Sequence, residues 1–145
     1  MFEGVAGMTY AGDINPKEAW DLLNSKPTAL LIDVRTRPEW AFVGIPDLGS
    51  IGRQTMLLSW QVYPSMVINP DFGAQVKKAA PAADTPLLFL CRSGTRSRAA
   101  AEAITALGYN ACYNVSEGFE GNPDHERHRG RESGWKAAGL PWAQE

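Results

Sequence analysis

The stretch LLFLCRSGTRSRAAAEAI, residues 87–104, decides the fold. Leu87 to Leu90 are four consecutive apolar residues, the pattern of a strand buried on both faces. Helix formers follow from Ala99 to Leu107, with Ala100, Ile104 and Leu107 spaced for one buried face. Cys91 therefore sits on a turn from strand to helix. A helix beginning near Ser97 directs its free N–H groups and the positive end of its dipole back at that turn. Between them Ser93, Gly94 and Thr95 make a tight turn that aims successive backbone N–H groups inward as an anion nest, Gly94 tolerating a positive φ.

A thiol is a poor nucleophile at neutral pH because it is mostly protonated, and positive potential is what favours the thiolate. Arg92, Arg96 and Arg98 surround this turn, and no acidic residue lies between Thr85 and Ala101, so the stretch carries +3 in a chain of net charge −2. A structural cysteine belongs among apolar neighbours, without arginines that are costly to bury. Cys91 is therefore the candidate nucleophile. Arg92, Ser93, Gly94, Thr95, Arg96 and Ser97 form its candidate anion cradle.

Further out, INPKEAWDLL reads as a helix with Asn15 as N-cap, Pro16 at the first helical position, Glu18 closing a capping box, and Ala19, Leu22 and Leu23 facing inward. ALLIDV, residues 29–34, is a buried strand ending near Asp33, and RPEWAF makes one helical turn after it. The connection from Gly44 to Pro70 holds one short strand at TMLLSW. NPDFGAQVKKAA opens another helix with Asn69 capping, Pro70 first, and Phe72 and Val76 facing in. Gly108 ends the motif helix, NACYNV is a strand, and the last helix lies around SGWKAAG. Alternating strands and helices imply an α/β fold: a mainly parallel sheet with helices on both faces and ligands at the carboxyl ends of its strands. Asp33 and Arg35 end a strand and reach the same rim as Cys91, which makes them candidate supporting residues.

The composition is that of one compact domain: 145 residues, 44% hydrophobic and 21% charged. A net charge of −2 and a pI near 5.7 give no basis for nucleic-acid binding, which needs clustered Lys and Arg. Two cysteines, Cys91 and Cys112, do not make a disulfide scaffold and fit a reducing compartment. MFEGVAGMTYAGDINP lacks the basic start and apolar run of an export signal, and no apolar run is long enough to cross a bilayer. The expectation is a soluble cytoplasmic protein with no membrane partner.

CRSGTRS between an apolar strand and an alanine-rich helix resembles the active-site loop of the rhodanese, or sulfurtransferase, family. LIDVRTRPEW is similar to that family's strand and acidic turn, and ALGYNACYNVSEGFEG followed by GWKAAGLPW to its closing strand, loop and terminal helix. The likeness runs from Asn15 to Trp142 and implies a three-layer rhodanese-like fold. It also implies that Cys91 attacks the outer sulfur of thiosulfate, expels sulfite, holds a persulfide and passes that sulfur to cyanide or a thiol, with no metal or organic cofactor. Arg92 and Arg96 would attract the dianionic donor. Two departures stand out. VGIPDL lacks the histidine of the family's Gly-His-Ile-Pro-Gly-like turn, and the segments Leu48–Phe72 and Asn122–Ser133 are longer than in minimal members.

The alternatives are a sulfane-sulfur carrier serving a protein partner, and behind it a cysteine-dependent phosphatase or a non-catalytic anion-binding module. Such phosphatases have five residues between Cys and Arg, whereas four separate Cys91 from Arg96, and Arg98 is one residue too far. Asp33 and Glu117 are the acids available to protonate a leaving oxygen. Asp33 either braces the cradle through loop N–H groups or Arg96, or caps its own turn. Cys112 reads as a small hydrophobe in a strand. His125 and His128 fall in a charged stretch that reads as a solvated loop rather than a metal site, and the five tryptophans as packing residues.

Overall fold

The structure, a computed structural model, describes residues 10–144; most of the N-terminal stretch read for an export signal lies outside them. The chain runs through β1 (Gly12–Ile14), α1 (Pro16–Ser25), β2 (Leu30–Asp33), α2 (Arg37–Val43), β3 (Ile45–Pro46), a 3-10 turn (Gly49–Ile51), β4 (Met56–Leu57), β5 (Gln61–Val62) and β6 (Val67–Ile68). It continues through α3 (Phe72–Ala79), β7 (Leu87–Leu90), α4 (Thr95–Thr105), β8 (Cys112–Val115) and β9 (Trp142–Ala143). Five strands form one sheet in the order β1-β8-β7-β2-β4, every pair parallel. β7 is the middle strand.

Its apolar run follows from that position. Leu87 and Phe89 join a core with Phe72 and Val76 of α3 and Ala100 and Ile104 of α4. Leu88 and Leu90 face the opposite core, with Ala19 and Leu23 of α1, Phe119 and Trp135. All four strand residues are fully buried, because alternate side chains fill two different cores. Cys91 continues the parity of Leu87 and Phe89 and lies in the core beneath α4. The tryptophans pack as expected: Trp20 stands edge-on to Trp135 and Trp60 to Phe72, and Trp142 meets Phe119.

Two of the helix starts are set by side-chain capping boxes. At α1 the Asn15 side chain accepts from Glu18 N and the Glu18 carboxylate from Asn15 N, each at 2.8 Å, with Pro16 behind. RPEWAF extends past one turn into the seven residues of α2, because Thr36 and Glu39 make a second capping box. At α3 the helix begins at Phe72, and the Asn69 carboxamide oxygen takes the Asp71 N–H in a preceding turn instead of capping the helix.

Four other expectations are corrected. α4 begins at Thr95, two residues before Ser97, and ends at Thr105, which leaves Leu107 beyond the helix and 62% exposed. SGWKAAG forms hydrogen-bonded turns, with Gly134 and Gly139 at positive φ, where a helix was expected. β1, β3 and β9 were not anticipated. The 48–72 connection holds the β5–β6 hairpin as well as β4. Among the described residues no helix is long and apolar enough to cross a membrane.

Because α1 carries β1 into β2, its cap is a clean probe of the fold. Asn15→Ala removes one half of the capping box at an exposed position and should cost about 1 kcal/mol. A thermal melt should show Tm lowered by roughly 3–4 °C for a chain of this size; an unchanged Tm would contradict the role given to Asn15.

Candidate functional site

Strand β7 ends at Leu90, and the chain is caught at once by the loop after β8. Phe119 N donates to Cys91 O at 2.8 Å, while Glu120 N and Gly121 N donate to Arg92 O at 3.0 and 3.1 Å. The backbone then turns through Gly94, at φ 108°, a value that other residues rarely adopt. A Cβ there would also lie 2.2 Å from the Ser116 carbonyl oxygen. The turn brings Gly94 N to 3.1 Å from Cys91 Sγ, at the N-terminus of α4. Ser97, on the first turn of that helix, places Oγ 3.2 Å from the same sulfur. Cys91 is 1% exposed, with the Gly94 N–H and the Ser97 hydroxyl close against its sulfur.

Formal charge contributes less than the +3 of the sequence. Arg96 donates from both terminal nitrogens to Glu39 of α2, at 2.7 and 2.9 Å. Thr36 adds its backbone N–H and hydroxyl to the same carboxylate. Burial works to raise the Glu39 pKa, but the Arg96 guanidinium and the Thr36 donors outweigh it and hold the carboxyl at about 2, against an ordinary 4.5. Arg98 turns away from the sulfur, 3.9 Å from Glu102 and over the Tyr10 ring. Arg92 is exposed, and its side chain forms no ion pair among the described residues. Ser93 is half-buried and Thr95 exposed.

Asp33 resolves to the plainer of its two readings. It takes the Arg35 backbone N–H at 3.1 Å and the Arg35 guanidinium at 2.8 Å, both residues being fully buried, and bonds to neither the loop nor Arg96. Arg35 also donates to Gly44 O at 2.7 Å and stacks 4.4 Å from the Phe119 ring centre. The pair thus braces two segments beside the loop. In VGIPDL, Gly44 has φ 105°, and a Cβ would meet Ala143 O and the Trp142 ring at 2.9 Å. The C-terminal strand β9 occupies the space that a side chain there would need.

Glu39, Asn114 and Asp13, which carry no local mark in the sequence of the loop, also join the site. Glu39 clamps Arg96, and its signal was the Thr36-x-x-Glu39 box. Asn114 Oδ1 lies 2.6 Å from Ser97 Oγ, and its Nδ2 donates to Asp13 Oδ1 at 3.1 Å. Nothing local in NACYNV marks that chain, because it forms only when β1 and β8 pair. Glu117 is turned to Gly134 N at 2.8 Å. Cys112 is fully buried, and burial raises its thiol pKa. His125 and His128 are exposed, as read. Asp124, Glu126 and His128 come together there, but Arg131 already sits 3.7 and 3.0 Å from the two carboxylates. A surface cavity of about 470 Å³, lined by Arg37, Trp40, Ala41, Ile45, Leu57 and Ala143, includes none of the loop residues.

Residues 15–122 match the family model described as Rhodanese-like domain. An uncharacterized protein of Rickettsia conorii is 43% identical over 126 residues, covering 86% of this chain and 91% of its own. The thiosulfate sulfurtransferase GlpE of Actinobacillus succinogenes is 28% identical over 129 residues, covering 89% and 87%. A crystal structure of a protein from M. tuberculosis superposes with a TM-score of 0.85 at 48% identity, covering 94% of this chain and 99% of that one.

The Glu39 clamp has a signature in acid. Its pKa is lower folded than unfolded, so its contribution to stability is complete above the ordinary 4.5 and is lost as the pH falls towards about 2. Denaturant titrations across that window should show a steeper loss for the native protein than for Glu39→Gln, which has no carboxylate to protonate. Identical slopes would mean that the pair contributes nothing to the fold.

Proposed function

The chain belongs to the rhodanese-like family, and on that premise we propose that it is a sulfurtransferase working through a persulfide on Cys91. The observation that carries this reading is the Gly94 N–H directed at Cys91 Sγ from 3.1 Å at the N-terminus of α4. The thiolate sulfur attacks the outer sulfur of thiosulfate, the S–S bond of the donor breaks, and sulfite leaves with the bonding pair. One negative charge remains on the terminal sulfur of the new persulfide, where a nest of N–H groups stabilises it without reorganising. An acceptor, cyanide or a thiolate, then takes that sulfur and returns the Cys91 thiolate. No metal or cofactor enters the balance.

The loop argues against phosphate chemistry. Arg96, the arginine nearest in register, is committed to Glu39, and Arg98 points to Glu102. Asp33 and Glu117, the acids available to a leaving oxygen, are engaged by Arg35 and Gly134. Exposed Arg92 remains to draw an anionic donor inward.

Carriage of sulfur to a protein thiol is the second reading, and one feature favours it. β4 runs parallel to β7, so the chain leaving β4 emerges on the rim that holds Cys91. There the β5–β6 hairpin exposes Val62, Tyr63, Met66, Val67 and Ile68, within a stretch from Gln54 to Pro70 that has no charged residue. A small-molecule acceptor has no use for such a surface.

Protein mixed with thiosulfate and desalted should gain the mass of one sulfur at Cys91, and cyanide should remove it as thiocyanate. Cys91→Ser should abolish both, while Cys112→Ser stays within a few fold. An enzyme would release thiocyanate at every turnover, a carrier slowly from a lasting adduct; no adduct in freshly reduced protein would overturn the proposal. Arg96→Ala should impair loading more than Arg98→Ala, with Arg96→Lys recovering part, because lysine cannot reproduce the two-pronged contact with Glu39. Equal losses at the two positions would contradict the placement of Arg96.

A further inference from the structure

We infer that Asp13 and Asn114 are positioning residues that turn the Ser97 hydroxyl away from Cys91, so that the resting sulfur meets a lone pair there. The inference rests on the sulfurtransferase reading for its purpose, though not for its geometry.

Ser97 Oγ lies within reach of two acceptors, Asn114 Oδ1 at 2.6 Å and Cys91 Sγ at 3.2 Å, and has one proton to give. Its choice is made two residues away. An ionised carboxylate only accepts, so the Asn114 amide must present Nδ2 to Asp13 Oδ1, 3.1 Å away. Oδ1 is thereby left facing Ser97. A carbonyl oxygen also only accepts, so the Ser97 proton goes to Asn114 and an oxygen lone pair faces Sγ. The opposite amide orientation would set two acceptors against each other at Asp13.

The chain is anchored at both ends. Asp13 and Asn114 are register partners on the paired strands β1 and β8, and Tyr10 OH donates to the same Asp13 oxygen at 2.8 Å. Ser97 is fully buried and Asn114 is 3% exposed, so no bulk water competes for the hydroxyl.

The sulfur responds according to its state. A thiol can donate S–H to the Ser97 lone pair, whereas a thiolate would confront it. In the persulfide Sγ is a neutral divalent atom and the charge sits on the outer sulfur, so the lone pair opposes nothing. Loading balances as thiol plus thiosulfate giving persulfide anion, sulfite and one proton released to solvent. The arrangement therefore offers the empty cysteine no donor from this side and fits the loaded one. The other charged groups around Cys91 are Arg92 on the loop, the Arg96–Glu39 pair from α4 and α2, and the Asp33–Arg35 pair at the end of β2; among the described residues the side chains of Ser97 and Asn114 bond instead to Cys91, to each other and to Asp13.

The test is alkylation of Cys91 by iodoacetamide at fixed neutral pH, followed by intact mass in a Cys112→Ser background. It needs no sulfur donor, so it stands or falls separately from persulfide formation. Asp13→Asn, near-isosteric and exposed, lets the Asn114 amide reverse and frees the Ser97 proton for Sγ. Alkylation should accelerate about 3- to 10-fold, the range expected for one hydrogen bond. In Ser97→Ala the same Asp13→Asn change should have no effect, whereas loss of a charge acting through space would act equally in both backgrounds. An unchanged rate, or an acceleration of equal size in Ser97→Ala, would overturn the inference. Should Ser97→Ala not fold, Asn114→Ala replaces it: alone it should accelerate alkylation, and Asp13→Asn added to it should contribute nothing further, while a full additional effect would overturn the assignment.

Discussion

Side-chain parity along a strand buried on both faces is the constraint from which the site follows. Leu87 and Phe89 belong to the core under α3 and α4, Leu88 and Leu90 to the core over α1, and the next residue must return to the first. That residue is Cys91. Its sulfur is thus delivered to the side where α4 begins, and a turn of three residues suffices to bring Gly94 N to 3.1 Å. A one-residue slip of β7 would send the thiol into the opposite core and abolish the site.

Three arginines invite an explanation by charge, but the pairings decide otherwise. Arg96 is matched by a two-pronged carboxylate and Arg98 is turned out over α4, so the formal charge left beside the loop is that of exposed Arg92. An ion pair at 2.7 Å presents mostly a dipole to its surroundings, whereas the Gly94 N–H, fixed by the turn, points at the sulfur without rearrangement. The ion pairs serve position. Arg96 ties the first turn of α4 to α2, and buried Arg35 links Asp33, Gly44 O and the face of Phe119, whose own N–H holds Cys91 O. A buried ion pair is weak evidence of stability, since desolvation offsets its attraction. Here its distinctive product is fixed spacing.

What the sequence made legible was whatever is encoded within a few residues. The apolar run of β7, the Asn15 box, the Gly94 turn and the position of Cys91 at the strand end all depend on neighbours in the chain. The expected last helix failed because Gly134 and Gly139 take positive φ, and its Trp135 is buried by packing that does not require helical geometry. Leu107 fell outside the buried face because α4 closes at Thr105. Glu39 is 57 residues from Arg96 and Asp13 is 101 from Asn114, so neither contact leaves a periodic mark. β1, β3 and β9 are two or three residues long and have no apolar alternation to reveal them; β1 forms on the edge of β8, and β3 and β9 form only by pairing with each other.

The same loop suits the single sulfur that the proposed transfer would place on it. Phosphoryl chemistry asks for donors to several oxygens, an arginine at the centre of the ring and an acid for the departing alkoxide. Arg96 has turned its donors to Glu39, and the carboxylates of Asp33, Glu39 and Glu117 are held by Arg35, Arg96 and Gly134 N. Sulfite needs no proton to depart, and a terminal sulfur is one atom bearing one charge. A short turn that sets the Gly94 N–H against the sulfur, closed by only four residues between Cys91 and Arg96, would meet that demand, and widening it would weaken that contact.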